Sequence, residues 1–119
     1  GVQYQGIEVG WLPEGYELVR SDVTNRTISQ FYTRSSGGTE QSIEIQVMDF
    51  TGEGIFKVDT EADELYQVIV QNTLATVIER GSRIQITWMH PKFNCIVMLY
   101  VDNVSVETTL RIAQSIVLS

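Results

Sequence analysis

The chain has 119 residues, 43% of them hydrophobic and 19% charged. That is enough for one domain with one core and argues against disorder. With 8 basic against 15 acidic residues and a formal net charge of -7, the composition speaks against nucleic acid and against an anionic membrane surface, both of which call for concentrated basic patches. Cys95 is the single cysteine, so an internal disulfide and a cysteine-rich metal site are excluded.

In chain order, residues 1–10 read as an irregular lead-in, with Gly1 as a tag remnant of a segment cut from a longer protein, and residues 11–119 as a single domain. No signal peptide or membrane span is expected in this stretch. Trp11-Leu12-Pro13-Glu14-Gly15-Tyr16 is a compact turn in which Pro13 sets φ and Gly15 can take a positive φ. Strands are expected from Tyr16 to about Ser21 and from Ile28 to Arg34, the latter anchored by Ile28 and by Phe31 or Tyr32. Ser35-Ser36-Gly37-Gly38 is a turn. Ser42 to Phe50 follows, with Ile43, Ile45 and Val47 facing inward and Glu44 and Gln46 outward. These three runs predict an antiparallel meander.

Residues 51–64 read as a long loop with a helical turn near Glu61. Its acidic run Asp59-Thr60-Glu61-Ala62-Asp63-Glu64 has oxygen ligands at alternate positions, as in a calcium loop. Glu64 stands where such a loop needs glycine, so a solvated loop is the expectation. Strand character returns at Tyr66–Val70 and Ala75–Glu79, with a turn beginning at Asn72.

Arg83 to Val101 organises the chain. Ile84, Ile86 and Trp88 alternate with Gln85 and Thr87, the period of a strand with one dry face. Pro91 marks a turn. Cys95 to Val101 is apolar at every position, which predicts a central strand covered on both faces. Finally Val106, Leu110, Ala113 and Ile116 or Val117 recur at three or four residues, a helical period. Ser105 is placed as its N-cap and Glu107 falls in its first turn. Leu110 is expected at the helix–sheet seam.

The predicted fold is α+β: a single curved antiparallel sheet of about six strands with the C-terminal helix packed on one face. One helix covers one face only. The other face of the central strand, carrying Ile96, Met98 and Tyr100, must then be covered by the 51–64 loop, by curvature of the sheet, or by a partner or apolar ligand. Self-covering is the favoured expectation.

No catalytic, cofactor or metal residues are assigned. His90 has no second His or Cys with which to bind a transition metal, and no nucleophile elbow accompanies it. Gly52-Glu53-Gly54 lacks the third glycine of a phosphate cradle. Cys95 reads as a core residue, since no cation stands near it in sequence. Asn25-Arg26-Thr27 and Asn103-Val104-Ser105 match the glycosylation sequon, a frequent coincidence.

The opening Leu12-Pro13-Glu14-Gly15-Tyr16, Thr87-Trp88 in a late strand, and the ending Val104-Ser105-Val106-Glu107 through Leu110-Arg111-Ile112-Ala113-Gln114-Ser115-Ile116 together resemble the bacterial domain-of-unknown-function family four-three-six-seven over roughly residues 11–118. His90-Pro91-Lys92-Phe93-Asn94 departs from the shorter glycine-containing turn usual there. The resemblance implies an extracytoplasmic C-terminal domain of a membrane-anchored protein, similar to anti-sigma-factor or sigma-regulating proteins, and implies no catalytic residues. A non-enzymatic interaction or sensor domain on the outer face of the cell membrane is therefore the leading expectation. A lipid or apolar-ligand binder using Ile96, Met98 and Tyr100 is the alternative. A looser, fold-level likeness to sheets that bind acyl chains in lipoprotein carriers points the same way.

Overall fold

The computed structural model describes residues 6–24, 26–49 and 62–119. Seven strands form one antiparallel sheet: β2 (Glu17–Val23), β3 (Thr27–Ser36), β4 (Thr39–Asp49), β5 (Glu64–Val70), β6 (Thr73–Arg80), β7 (Arg83–Met89) and β8 (Cys95–Asp102). Their spatial order is β2-β3-β4-β8-β7-β6-β5. Helix α1 (Val106–Gln114) follows β8, and two short strands, β1 (Ile7–Val9) and β9 (Ile116–Leu118), pair with each other in a separate ribbon.

The architecture is α+β with one C-terminal helix, and the main sheet has seven strands where about six were expected. Both outermost runs, β2 and β5, pair along nearly their whole lengths, so neither is a loose flank. Within the expected irregular lead-in Ile7–Val9 is a strand, and so is the expected last helical turn. Ile116 repeats three residues after Ala113 and so satisfies a helical period. Ser115 closes the helix at φ -93°, and Gly10 N–H then donates to its carbonyl at 2.9 Å. The chain runs on as a strand against Ile7–Val9.

β8 is the middle strand, as its uninterrupted apolar run predicts. Its register places Val97 between Val47 and Trp88, Leu99 between Ile45 and Ile86, and Val101 between Ile43 and Ile84. All nine are buried, in one cluster with Ile112, Ala113, Ile116 and Leu118. β1 lies over the β3 side of this face, where Gln30 Nε2 donates to the Ile7 carbonyl at 3.1 Å. The helix packs toward β5 and β7.

Turn chemistry sets the hairpins. Gln71 and Asn72 take φ of 53° and 62° between β5 and β6, the left-handed pair that two-residue hairpins favour. Gln71 also clamps the helix end: its Nε2 donates to the carbonyls of Ala113 and Ile116, and its N–H donates to Gln114 Oε1. Gln114 Nε2 returns a bond to the Ile69 carbonyl. At the other end Ser105 Oγ accepts from Thr108 N–H at 3.2 Å, as an N-cap should.

The buried stripe of the helix is Thr109, Ile112 and Ala113. Leu110, expected at the centre of the seam, is only half-buried at its margin. Truncation of Ile112 to Ala is therefore expected to destabilise the domain by about 2–5 kcal/mol, and Leu110→Ala by clearly less. Chemical denaturation of the two variants, compared at equal m-value, checks the order.

Candidate functional site

The two faces of the sheet are unlike. On the helix-free face, successive strands contribute Phe31, Glu44, Tyr100, Gln85, Ile78 and Leu65 in one cross-strand row. The next row holds Ser29, Gln46, Met98, Thr87, Thr76 and Gln67. Toward the Pro91 end, Met48, Ile96 and Met89 align, with Ile69 and Leu74 opposed on the outer pair.

Ile96, Met98 and Tyr100 do lie together on this face. They are half-buried, whereas Cys95, Val97 and Leu99 on the other side are fully buried. The strand is thus dry on one face and partly wet on the other, and the two-sided burial expected from its composition is only half met. Large apolar side chains remain open to solvent nearby: Met48 at 38%, Leu65 at 48%, Leu74 at 57% and Ile69 at 59%. Of the 51–64 loop, one of the two self-covering elements expected, residues 51–61 lie outside the described residues.

A groove of about 440 Å³ opens on this face. Phe31, Ile78 and Tyr100 supply its apolar lining, and Glu44, Gln85, Arg80, Arg83 and Asp102 its polar lining. Along the strands, polar groups two residues apart satisfy one another: Gln46 Nε2 donates to Glu44 Oε2 at 3.0 Å, and Gln85 Nε2 to Thr87 Oγ1 at 3.2 Å. Tyr100 Oη donates to the Met98 sulfur at 3.2 Å, a weak acceptor. Burial, and then the charge of Glu44, hold the Tyr100 hydroxyl above its ordinary pKa, so the phenol stays protonated as a donor.

Sequence reasoning singled out the middle strand of this site and missed its walls. Glu44 and Gln85 are the outward positions of strands whose inward positions were correctly read. Their signal was the alternation itself. Arg80, Arg83 and Asp102 come together only through the register of three strands.

The remaining chemical candidates that the structure describes are His90, Cys95, Asp63 and Asn103. His90 Nδ1 accepts from the N–H groups of Lys92 and Phe93 at 3.1 and 3.2 Å, holding the turn around Pro91. Burial, and then Lys92, lower its pKa. Cys95 is buried, and burial together with Asp49 pushes its thiol up to about 11. Asp63 Oδ2 accepts from Gly81 N–H at 2.7 Å. Asp59 and Glu61 of the acidic run, and Asn25 of the first sequon, lie outside the described residues. Asn103 of the second sequon has its side-chain amide engaged with the Glu40 carbonyl at 3.1 Å. Among the described residues no group of three His, Cys, Asp or Glu side chains is placed to hold a metal ion.

The profile of a domain-of-unknown-function family, DUF4367, matches residues 6–116. The chain belongs to that family. The match covers the main sheet, the helix and β1, and ends on the first residue of β9. No curated protein and no solved structure matches the chain.

Two outcomes follow for the DUF4367 domain. Cys95 is expected to stay unreactive toward a thiol reagent such as dithionitrobenzoate in the native state and to react fully in denaturant, since only the thiolate attacks. Rapid labelling of the folded protein would contradict its placement. His90 has a lowered folded-state pKa, so its contribution to stability is complete above the unfolded value of about 6.5 and is lost as pH falls through the folded value. Melting temperature should therefore decline more steeply below pH 6.5 in the wild type than in His90→Asn, whose amide oxygen can keep the turn bond without titrating.

Proposed function

We propose that this domain is a non-enzymatic binding module that engages its partner through the helix-free face of the sheet, as the extracytoplasmic interaction or sensor part of a membrane-anchored bacterial regulator. The observation that carries the binding reading is the contrast between the faces. One is covered by the helix and the β1–β9 ribbon across its centre, with Leu18 and Val23 of the edge strand β2 left open. The other leaves Leu65 substantially open beside a groove walled by charged side chains, and Met48, Ile69 and Leu74 open further along the sheet toward the Pro91 end. Exposed apolar surface rimmed by polar groups is characteristic of interaction sites. The extracytoplasmic and regulatory parts of the reading rest on the family resemblance.

The lining of the groove favours a polar partner over a lipid. An acyl chain laid across it would desolvate Glu44, Gln85, Asp102 and Arg83 without giving them hydrogen bonds, which is costly for each. A peptide or protein surface offers both the amides and the charges these groups need.

Site-specific photo-cross-linking in the producing cells tests the proposal. Benzoylphenylalanine at Met98, on the open face, is expected to give a discrete adduct. At Glu107, on the exposed outer side of the helix, it should give none. No adduct at position 98, or equal labelling from both positions, would reject the binding face.

A further inference from the structure

We infer that the groove takes a short zwitterionic peptide, with its α-carboxylate held by Arg83 and Arg80 and its α-ammonium by Glu44. The inference rests on the helix-free face being the binding surface and names its occupant.

The arginine wall stands at a hairpin turn. Arg80 and Arg83 are direct cross-strand partners on either side of the tight turn at Gly81 and Ser82, and like charges placed directly opposite repel. Both line the groove. Asp102 is also a cross-strand neighbour of Arg83, yet its carboxylate accepts from Ser82 Oγ and forms no ion pair with that guanidinium. The Arg83 side chain makes no hydrogen bond or ion pair among the described residues. A guanidinium presents a planar fork of donors that matches a carboxylate in bidentate geometry. An anion here would fill the donors of Arg83, with the Arg80 charge directly across the hairpin.

The opposite wall has the complementary charge. Glu44 is aligned with Tyr100 and, through it, with Gln85. Its Oε2 accepts from Gln46, and its second carboxylate oxygen remains an acceptor. From Glu44 to Arg83 is two strands across and two residues along. With strands about 4.8 Å apart and a rise of about 3.4 Å per residue, the Cα atoms stand roughly 12 Å apart. An extended tripeptide, at about 3.5 Å per residue, spans about 10 Å, close to that separation.

The charge balance selects the ligand class. The charged residues lining the groove are Glu44 and Asp102 against Arg80 and Arg83, so a phosphate-rich ligand or a polycation would each meet as much repulsion as attraction. A neutral molecule with separated charges meets attraction at both ends. Tyr100, Phe31 and Ile78 supply apolar contact for a peptide side chain, and the Gln85 amide can pair with a peptide group. The volume lies within the range of small-ligand sites.

Trialanine is the probe. Titrated into the isotope-labelled domain, it should shift the backbone amide resonances of Glu44, Gln85, Tyr100 and Arg83 in a saturable way. N-acetyl-trialanine, trialanine amide, and the variants Glu44→Gln and Arg83→Gln should each weaken binding about tenfold, the loss expected for one charge-assisted contact. Arg83→Lys should recover only part, because it restores the charge and not the fork. Absence of shifts at tens of millimolar peptide, shifts confined to another surface, or capped peptides binding as well as the free one would overturn the assignment. If trialanine fails while the Met98 photo-adduct still forms, the peptide assignment falls and the binding face stands. If both fail, both fall.

Discussion

The structure depends on the three-strand register that sets β8 between β4 and β7. Val47, Val97 and Trp88 stand in one cross-strand row, Ile45, Leu99 and Ile86 in the next, and Ile43, Val101 and Ile84 in the third. A slip of one residue in any of these strands would turn its whole apolar set to the other face. For each strand that would expose three buried side chains and turn its intervening residues to the helix, Glu44 and Gln46 in β4, Gln85 in β7 or Tyr100 in β8. The helix and the β1–β9 ribbon close over this patch, and neither has another apolar surface of comparable size to bury against.

The same register builds the opposite face. Once every dry residue of β4, β7 and β8 points one way, the intervening positions must project the other way, and most of those in β4 and β7 are polar. Among the described residues these side chains bond along their own strands, Gln46 to Glu44 and Gln85 to Thr87. Such pairs meet part of their hydrogen-bonding capacity and leave acceptors turned outward. The candidate site is thus a by-product of core formation, with chemistry set by residues that the core does not constrain. Arg80 and Arg83 belong to the same set: they face each other across the hairpin at Gly81 and Ser82, outside the apolar core.

Much of this could be read from residue order. Ile43, Ile45 and Val47 alternate with polar neighbours and are buried as that alternation predicts. Gly37-Gly38, Gly81 and Pro91 mark turns where turns occur. The unbroken apolar run at Cys95–Val101 does mark the middle strand. It overstated the burial of Ile96, Met98 and Tyr100, because strand composition reports how much apolar surface is available and not what lies against it. The last apolar residues were misread because Ile116 fits both a helical step from Ala113 and a strand of its own. Only the Ile7–Val9 partner and the Gln71 clamp on the helix end distinguish the two.

By itself, then, the sequence determined the class of fold, the central strand, the positions of most turns and the capped helix near the end. Each of these follows from side-chain periodicity or backbone preference within a few residues. Tertiary structure alone decided which face of the sheet stays open, where the helix stops, and that Glu44, Tyr100, Arg80, Arg83 and Asp102 share one groove. Those outcomes depend on pairing between strands far apart in the chain, such as Ser42 with Asp102 and Ile7 with Leu118, and no local pattern records the register of a distant partner.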